Sequence, residues 1–315
     1  MDVIDIQELT KVYQSGFKKR NIVALNDVTF SIGQGEIFGL LGPNGAGKTT
    51  FMKVALGIVK ATSGSVAITG RKPSDPRSRN SVGYLPENHR FPVHLTGLGL
   101  LEFTGRLYGM NESEINTRAK QLLPMVGMEK WGDTRIRRYS KGMQQRIGLA
   151  QAMMPDPDVL MLDEPTDGVD PVGKIEIRKI LERVRSDGNS IVLNSHLLAE
   201  IEGLVDRVAI LSRGRLVKVG SVDELTSRKS QYKINADIGD SLVEIPEDIG
   251  KILSMTSNEL MVELTEDETI NYVIDDLRMK KISIKSVVPI KITLEQSFIE
   301  AVTQHPDSDG GEVSS

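Results

Sequence analysis

"GPNGAGKT", Gly42–Thr49, follows directly on the apolar run "EIFGLL", residues 36–41, and the reading of this junction decides the fold. Glycines at 42 and 47 let the chain turn so that successive backbone N–H groups face inward around an anion. Lys48 then places a cation on the outer phosphate oxygens, and Thr49 offers a hydroxyl to a divalent ion. The pattern needs a strand before it and a helix from Lys48 onward, whose positive end adds to the cradle. Gly42, Pro43, Asn44, Gly45, Ala46, Gly47, Lys48, Thr49 and Thr50 are therefore the expected phosphate-side residues of a nucleotide site.

Around this loop, short apolar runs alternate with helical patterns from the N-terminus to about residue 220. "DVLMLDEP" (158–165), "SIVLNSH" (190–196) and "RVAILSRG" (207–214) read as buried strands. Such alternation predicts a mainly parallel sheet covered by helices, with ligands at the carboxyl ends of its strands. Asp163 ends one strand, where it can hold a metal ion, and Glu164 follows, where it can polarise an attacking water. The competing assignment is that both acids cap the next helix. His196 ends another strand of the same sheet, where the outermost phosphate would lie.

Composition narrows the class. The chain has 315 residues, 39% of them hydrophobic, which suffices for an α/β core with a smaller appended domain. There is no cysteine, which excludes a disulfide framework or thiolate metal site and is compatible with the cytoplasm. The start "MDVIDIQELTKVY" carries charge where a signal peptide needs an apolar run, and no apolar run approaches the roughly 18 residues of a membrane span. A net charge of −4 argues against a broad nucleic-acid surface. The basic clusters "KKR" (18–20) and "RIRR" (135–138) read as solvated faces or local contacts.

Residues 139–146, "YSKGMQQR", pose a separate problem. Ser140 is a good helix N-cap, and Met143, Ile147, Ala150 and Met154 give the following helix an apolar stripe. A second polar, Gly-containing turn at a helix start suits a second anion, although periodicity alone supports no more than a capped amphipathic helix.

The succession Gly42–Thr49, Glu87, Ser140–Gln144, Asp163–Glu164, Gly168–Asp170 and His196 resembles the ATPase domain of an ABC transporter, over about residues 3–225. The resemblance implies an ABC-type P-loop NTPase fold binding ATP and Mg²⁺. It implies catalytic roles for Glu164, His196 and Lys48, and metal contacts from Thr49, Glu87 and Asp163. In that family two ATPs are clamped head-to-tail between two subunits. Ser140, Lys141, Gly142 and Gln144, with Asp170 of the "DGVD" turn, would therefore serve the nucleotide of the partner chain. The signature departs from the family's Ser-Gly-Gly-Gln: Lys141 replaces the first glycine, and Met143 takes the Gln place with Gln144 beside it. Glu87 stands where most of the family has Gln. Tyr13 sits where the family stacks an aromatic on adenine, with Phe17 as the competing choice.

The expected partners are an integral membrane permease on a separate chain and a second copy of this chain or a paralogous ATPase. The chain itself would be cytoplasmic, peripheral on the inner face of the membrane. Its form, with "TLEQSFIEAV" near the end, looks like ATPase subunits of bacterial exporters of drugs, lipids, polysaccharides or ions. A soluble ABC-type ATPase acting on nucleic acid or ribosomes fits less well, because there is one cassette, no heptads and an acidic balance. A small-molecule kinase leaves the signature helix and "DGVD" unexplained. The expected divisions are 1–228 for the ATP-binding domain, with a helical subdomain at about 95–155. A small α+β domain at 229–303 and a disordered tail at 304–315 follow. In the α+β part, "DETINYVIDDLRMK" has helical spacing, and Thr293 with Gln296 forms a capping-box pattern.

Overall fold

Ahead of the phosphate loop the chain forms β1 (Asp2–Ser15) and β2 (Arg20–Gly33), an antiparallel pair. After the loop strand β3 (Ile37–Leu41) comes β4 (Ser63–Ile68), which pairs with the free side of β1. This three-stranded antiparallel sheet, in the order β2-β1-β4, corrects the expectation of simple strand–helix alternation from the N-terminus. The computed structural model describes residues 2–15, 20–195, 201–239 and 241–303. Phe17, His196 and the tail at 304–315 lie outside the described residues.

The second sheet carries the site. Its strands are β5 (Val82–Leu85), β6 (Val159–Asp163), β7 (Ser190–Asn194), β8 (Arg207–Ser212) and β9 (Arg215–Ser221), with β3 inside it. The order is β5-β6-β7-β3-β8-β9. All neighbours are parallel except the closing β8–β9 hairpin. Strands β3, β6 and β7 are buried along their whole length, which is why their sequences run apolar without alternation.

Helices α1 (Lys48–Ala55), α2 (Pro76–Asn80), α3 (Gly97–Leu107), α4 (Glu112–Met125), α5 (Lys141–Ala152) and α6 (Pro171–Ser186) complete this unit. Helix α1 is held between the two sheets: Phe30 of β2 stacks on Phe38 of β3 at 5.4 Å and meets Phe51 of α1 at the same centroid distance. Phe51 and Phe38 are fully buried, each contributing about 2–3 kcal/mol relative to an exposed ring. That contact fixes the start of α1 beneath the loop. Helix α4 is capped by Asn111 and Glu114 in a reciprocal box.

The described residues divide into two compact units, 2–222 with 298–303, and Asp223–Ser297. The second contains an antiparallel sheet in the order β11-β12-β10-β13, where β10 is Ser227–Ala236, β11 Gly250–Met255, β12 Glu259–Leu264 and β13 Ile284–Lys291. The helix Ile270–Met279 places Val273 and Leu277 in a core with Ile234, Leu260 and Val262. Its other sheet face is polar, with Lys251–Glu263 and Lys233–Glu259 pairs at 2.5 Å. Thr293 and Gln296 exchange the two bonds of a capping box at the start of the helix Leu294–Thr303. Among the described residues no helix is long and apolar enough to cross a membrane.

Candidate functional site

The phosphate loop turns from the buried end of β3 into α1, as its sequence requires. Ala46 is buried, its N–H bonding back to the Pro43 carbonyl at 3.1 Å and its carbonyl accepting from Gly214 of the β8–β9 turn at 2.9 Å. Pro43, Asn44, Gly45 and Thr49 are exposed along the rim, while Gly47 and Thr50 are half-buried. Lys48 is buried, and its Nζ donates to the carbonyls of Gly42 at 2.6 Å and Pro43 at 3.3 Å. Burial pulls its ammonium below the ordinary lysine range, opposed by the fields of Glu164, Asp163 and Glu87. A single buried lysine thus lies in the field of three carboxylates, the adjacent pair Asp163 and Glu164 at the end of β6 and Glu87 just after β5.

Asp163 ends β6 at 3% exposure, and burial pushes its carboxyl above the usual range. A hydrogen bond from Asn194 works against the shift, and the charges of Glu87 and Glu164 add to it. Tyr84, three residues before the exposed Glu87, is pushed up to about 12 by burial and by the charges of Asp163 and Glu87. Hard oxygen donors from one or two carboxylates plus nucleotide phosphates are the usual Mg²⁺ environment, in place of an all-protein cage. Asp163 and Glu87, close enough to act on each other's charge, fit the carboxylate part of that donor set, and Thr49 at the start of α1 adds a hydroxyl of the right type; among the described residues no cluster forms a cage by itself.

Glu164 is buried and adopts a left-handed φ of 51°. Its N–H bonds to the Asn194 carbonyl at 2.9 Å, and its own carbonyl accepts from Asp167 at 3.1 Å. Backbone held in this region costs about 1–3 kcal/mol and persists where surroundings over-determine it. The idea that Asp163 and Glu164 only cap the next helix fails, because the cap of α6 is Asp170, whose Oδ1 accepts from Gly173 at 2.9 Å.

Ser140 caps α5 as expected, accepting from the Met143 N–H at 3.2 Å. The buried face of α5 is wider than the stripe read from sequence. It comprises Gln145, Ile147, Gly148, Leu149, Ala150 and Ala152, while Met143 is half-exposed and Met154 lies past the helix end. Gln144 donates its amide to the Tyr139 carbonyl at 3.3 Å. Lys141 reaches across to Asp167 at 3.2 Å, and its stem lies over Gly168, where an added Cβ would be 3.2 Å from Nζ. A Cβ at Gly142 would touch Val169 at 3.5 Å. The start of α5 and the loop 167–170 are therefore one continuous surface. On β1, Tyr13 is half-buried under Lys11 Nζ at 4.9 Å and pairs with Ile22, two residues before the Ala24 carbonyl that abuts Gly47.

A residue that sequence reasoning missed is Asn194. It sits at the end of a buried strand otherwise read for its apolar content, and a buried amide in such a run was the available signal. Gln145 is a second such amide, buried in α5.

Comparison with known proteins places this geometry. A family model described as ABC transporter matches residues 25–167. The uncharacterized ABC transporter ATP-binding protein YhcH of Bacillus subtilis is 34% identical over 308 residues, covering 95% of each chain. The chain belongs to the ABC transporter ATP-binding family. As a member it is an ATP-binding ATPase of the P-loop type. The lantibiotic transport ATP-binding protein SrtF of Streptococcus pyogenes is 36% identical over 215 residues, covering 68% of this chain and 89% of its own. The ATP-binding cassette MJ0796, solved as a dimer in a post-hydrolysis state with ADP and Pi, superposes with a TM-score of 0.62. It is 25% identical, with 69% of this chain and 98% of that chain covered.

Asp163 gives a stability prediction with a definite sign. A carboxyl raised in the fold contributes stability fully below the unfolded value of about 4, and loses it as pH rises through the folded value. At neutral pH its ionised form therefore costs the nucleotide-free ABC subunit stability. Asp163→Asn is expected to raise the melting temperature at pH 7–8, by about 2–4 °C for each kcal/mol relieved. The gain should shrink towards pH 4, and the variant should lose the extra stabilisation that Mg²⁺ adds to ATP. Melting curves across pH, with and without Mg²⁺ATP, check both parts.

Proposed function

We propose that this chain is the ATP-hydrolysing subunit of an exporter, pairing with a second ATPase chain and driving transport through a separate membrane permease. The observation that carries this reading is the division of phosphate-type elements. The loop 42–49 gathers with Asp163, Glu164 and Glu87, whereas the start of α5 joins the loop 167–170 through Lys141 and Val169. Two such surfaces on one chain are used together when two copies face each other head-to-tail. The dimeric form of the cassette MJ0796 supports the pairing. The lantibiotic transport in the name of SrtF supports a transport role, and the export direction rests on the resemblance of the chain's form to exporter ATPases.

In this reading Lys48 holds the β- and γ-phosphates, helped by the positive end of α1 and the N–H groups from Gly42 to Thr50. Thr49, Asp163 and Glu87 hold Mg²⁺, which neutralises phosphate charge when bound. Tyr13 stacks on adenine. Glu164 accepts the proton of the attacking water, and the family resemblance gives His196 a role at the γ-phosphate. Ser140, Lys141, Gly142, Gln144 and Asp170 close on the partner's nucleotide. Phosphoryl transfer of this kind depends mainly on positioning and charge stabilisation. Hydrolysis removes the γ-phosphate that both chains grip, so the pair reopens.

Helix α3 of the helical subdomain presents exposed Phe103 and Leu107 one turn apart, apolar side chains suited to a permease on the cytoplasmic side of the membrane. Affinity capture of the tagged chain from detergent-solubilised membranes tests the proposal. A stoichiometric multi-spanning membrane protein is the expected co-purifying species. Recovery of ribosomes or nucleic acid without any integral membrane protein would overturn it.

A further inference from the structure

Asn194 lies where the hydrolytic acids meet. It is 2% exposed, and β6 and β7 pair Asp163 directly with it. Its side-chain Nδ2 donates to Asp163 Oδ1, while its backbone carbonyl receives the Glu164 N–H at 2.9 Å. One residue therefore grips both acids, the first through its side chain and the second through its main chain. Its remaining polar atom, Oδ1, is buried without a hydrogen-bond partner. A buried amide oxygen left unpaired costs roughly 1–3 kcal/mol. A leucine in this apolar strand would avoid that cost.

We infer that Asn194 is a positioning residue for the metal side of the ATPase site: Nδ2 fixes the rotation of Asp163, and Oδ1 accepts a hydrogen bond from water held by the divalent ion. The inference rests on the reading of Asp163 as a metal-side carboxylate and goes beyond it by giving that carboxylate its support. With Oδ1 of Asp163 accepting from Asn194, Oδ2 is the oxygen left free of that bond and would be the one available to the ion. The orphaned Asn194 Oδ1 supplies an acceptor where a hydrated Mg²⁺ brings donors. Partners that orient a metal ligand in this way typically account for about 10–100-fold in metal affinity. The Glu164 contact is made by backbone and survives side-chain replacement, so the metal side is the part that substitution isolates.

The test uses the full chain with saturating ADP and Mn²⁺ as the probe, free Mn²⁺ being read by electron paramagnetic resonance. ADP affinity in EDTA is measured alongside. Asn194→Leu is expected to raise the Mn²⁺ half-saturation about tenfold or more, with metal-free ADP affinity unchanged. Asn194→Ser, which keeps a hydroxyl able to donate and accept, is expected to fall between Leu and wild type, and it carries the test if the leucine variant does not fold. A folded variant of either kind with wild-type Mn²⁺ half-saturation overturns the inference. Asp163→Asn is run in parallel to separate the two claims. If it weakens Mn²⁺ while the Asn194 variants do not, the support role of Asn194 fails alone. If Asp163→Asn also leaves Mn²⁺ binding intact, the metal-side reading of Asp163 fails with it.

Discussion

Glu164→Gln should bind ATP, form a stable dimer with it and release phosphate about 10²–10⁴-fold more slowly than wild type. The magnitude is that of removing a positioned general base while leaving the rest of the site in place. Glu164 is buried with φ at 51°, its N–H tied to Asn194 and its carbonyl tied to Asp167. Those restraints are main-chain contacts, so an isosteric amide inherits the position and loses only the proton acceptor. Removing a negative charge beside the γ-phosphate also favours retention of ATP. Phosphate release under single-turnover conditions reads the chemical step, and light scattering with ATP reads the oligomer. Near-normal turnover by a folded variant would rule out Glu164 as the base. A variant that holds ATP yet stays monomeric would instead rule out the two-chain arrangement.

The proposed two-chain arrangement also gives meaning to the contact between Lys141 and Asp167. Where the family's signature has a glycine, this chain has a cation that spends its charge on the loop leading out of Glu164. The pair is half-exposed on both sides, so its own contribution to stability is small, of the order of a surface ion pair at about 0–1 kcal/mol. Its consequence is geometric. Asp167 donates its N–H to the Glu164 carbonyl, so the start of α5 and the proposed base are joined through one short loop. Movement of α5 against a partner's nucleotide would therefore be felt at Glu164.

Legibility in the sequence followed physical constraint. Gly42, Gly47, Lys48 and Thr49 were readable because a phosphate cradle needs those residue types at that spacing, whatever surrounds it. Asp163 and Glu164 were readable because two acids at the end of an apolar strand stand against burial energetics. The antiparallel sheet was not, although β1 and β2 are each 14 residues long. Bulges interrupt their pairing, with register shifts around Leu9 and Lys11 and positive φ at Glu8 and Asp27. Each bulge resets the two-residue alternation by which a strand is recognised. Asn194 and the Lys141–Asp167 pair were hidden for another reason. Each acquires its role from a partner 31 or 26 residues away, and no local pattern encodes the meeting.

Gly47→Ala is expected to cost on the order of 3 kcal/mol and to abolish nucleotide binding. The first contribution is conformational: Gly47 holds φ at 106°, where an L side chain loses roughly 1–2 kcal/mol. The second is steric, since an added Cβ would stand 2.4 Å from the Ala24 carbonyl oxygen and 2.9 Å from Leu25 Cδ2. Neither neighbour yields easily. Ala24 is backbone of β2, whose next residues pack in the core with α1, and Leu25 is fully buried. The loop would have to move away from β2, taking with it the start of α1 and the Lys48 ammonium. At about 2–4 °C per kcal/mol, the melting temperature should fall by roughly 6–12 °C. Gly188→Ala separates the two contributions. Gly188 also has a positive φ, 97°, but nothing lies within 4 Å of its Cβ position. It should show the conformational cost alone, keep ATP affinity and melt only a few degrees lower. Equal losses in the two variants would mean that β2 gives way and that the close approach of Ala24 does not hold the loop in shape.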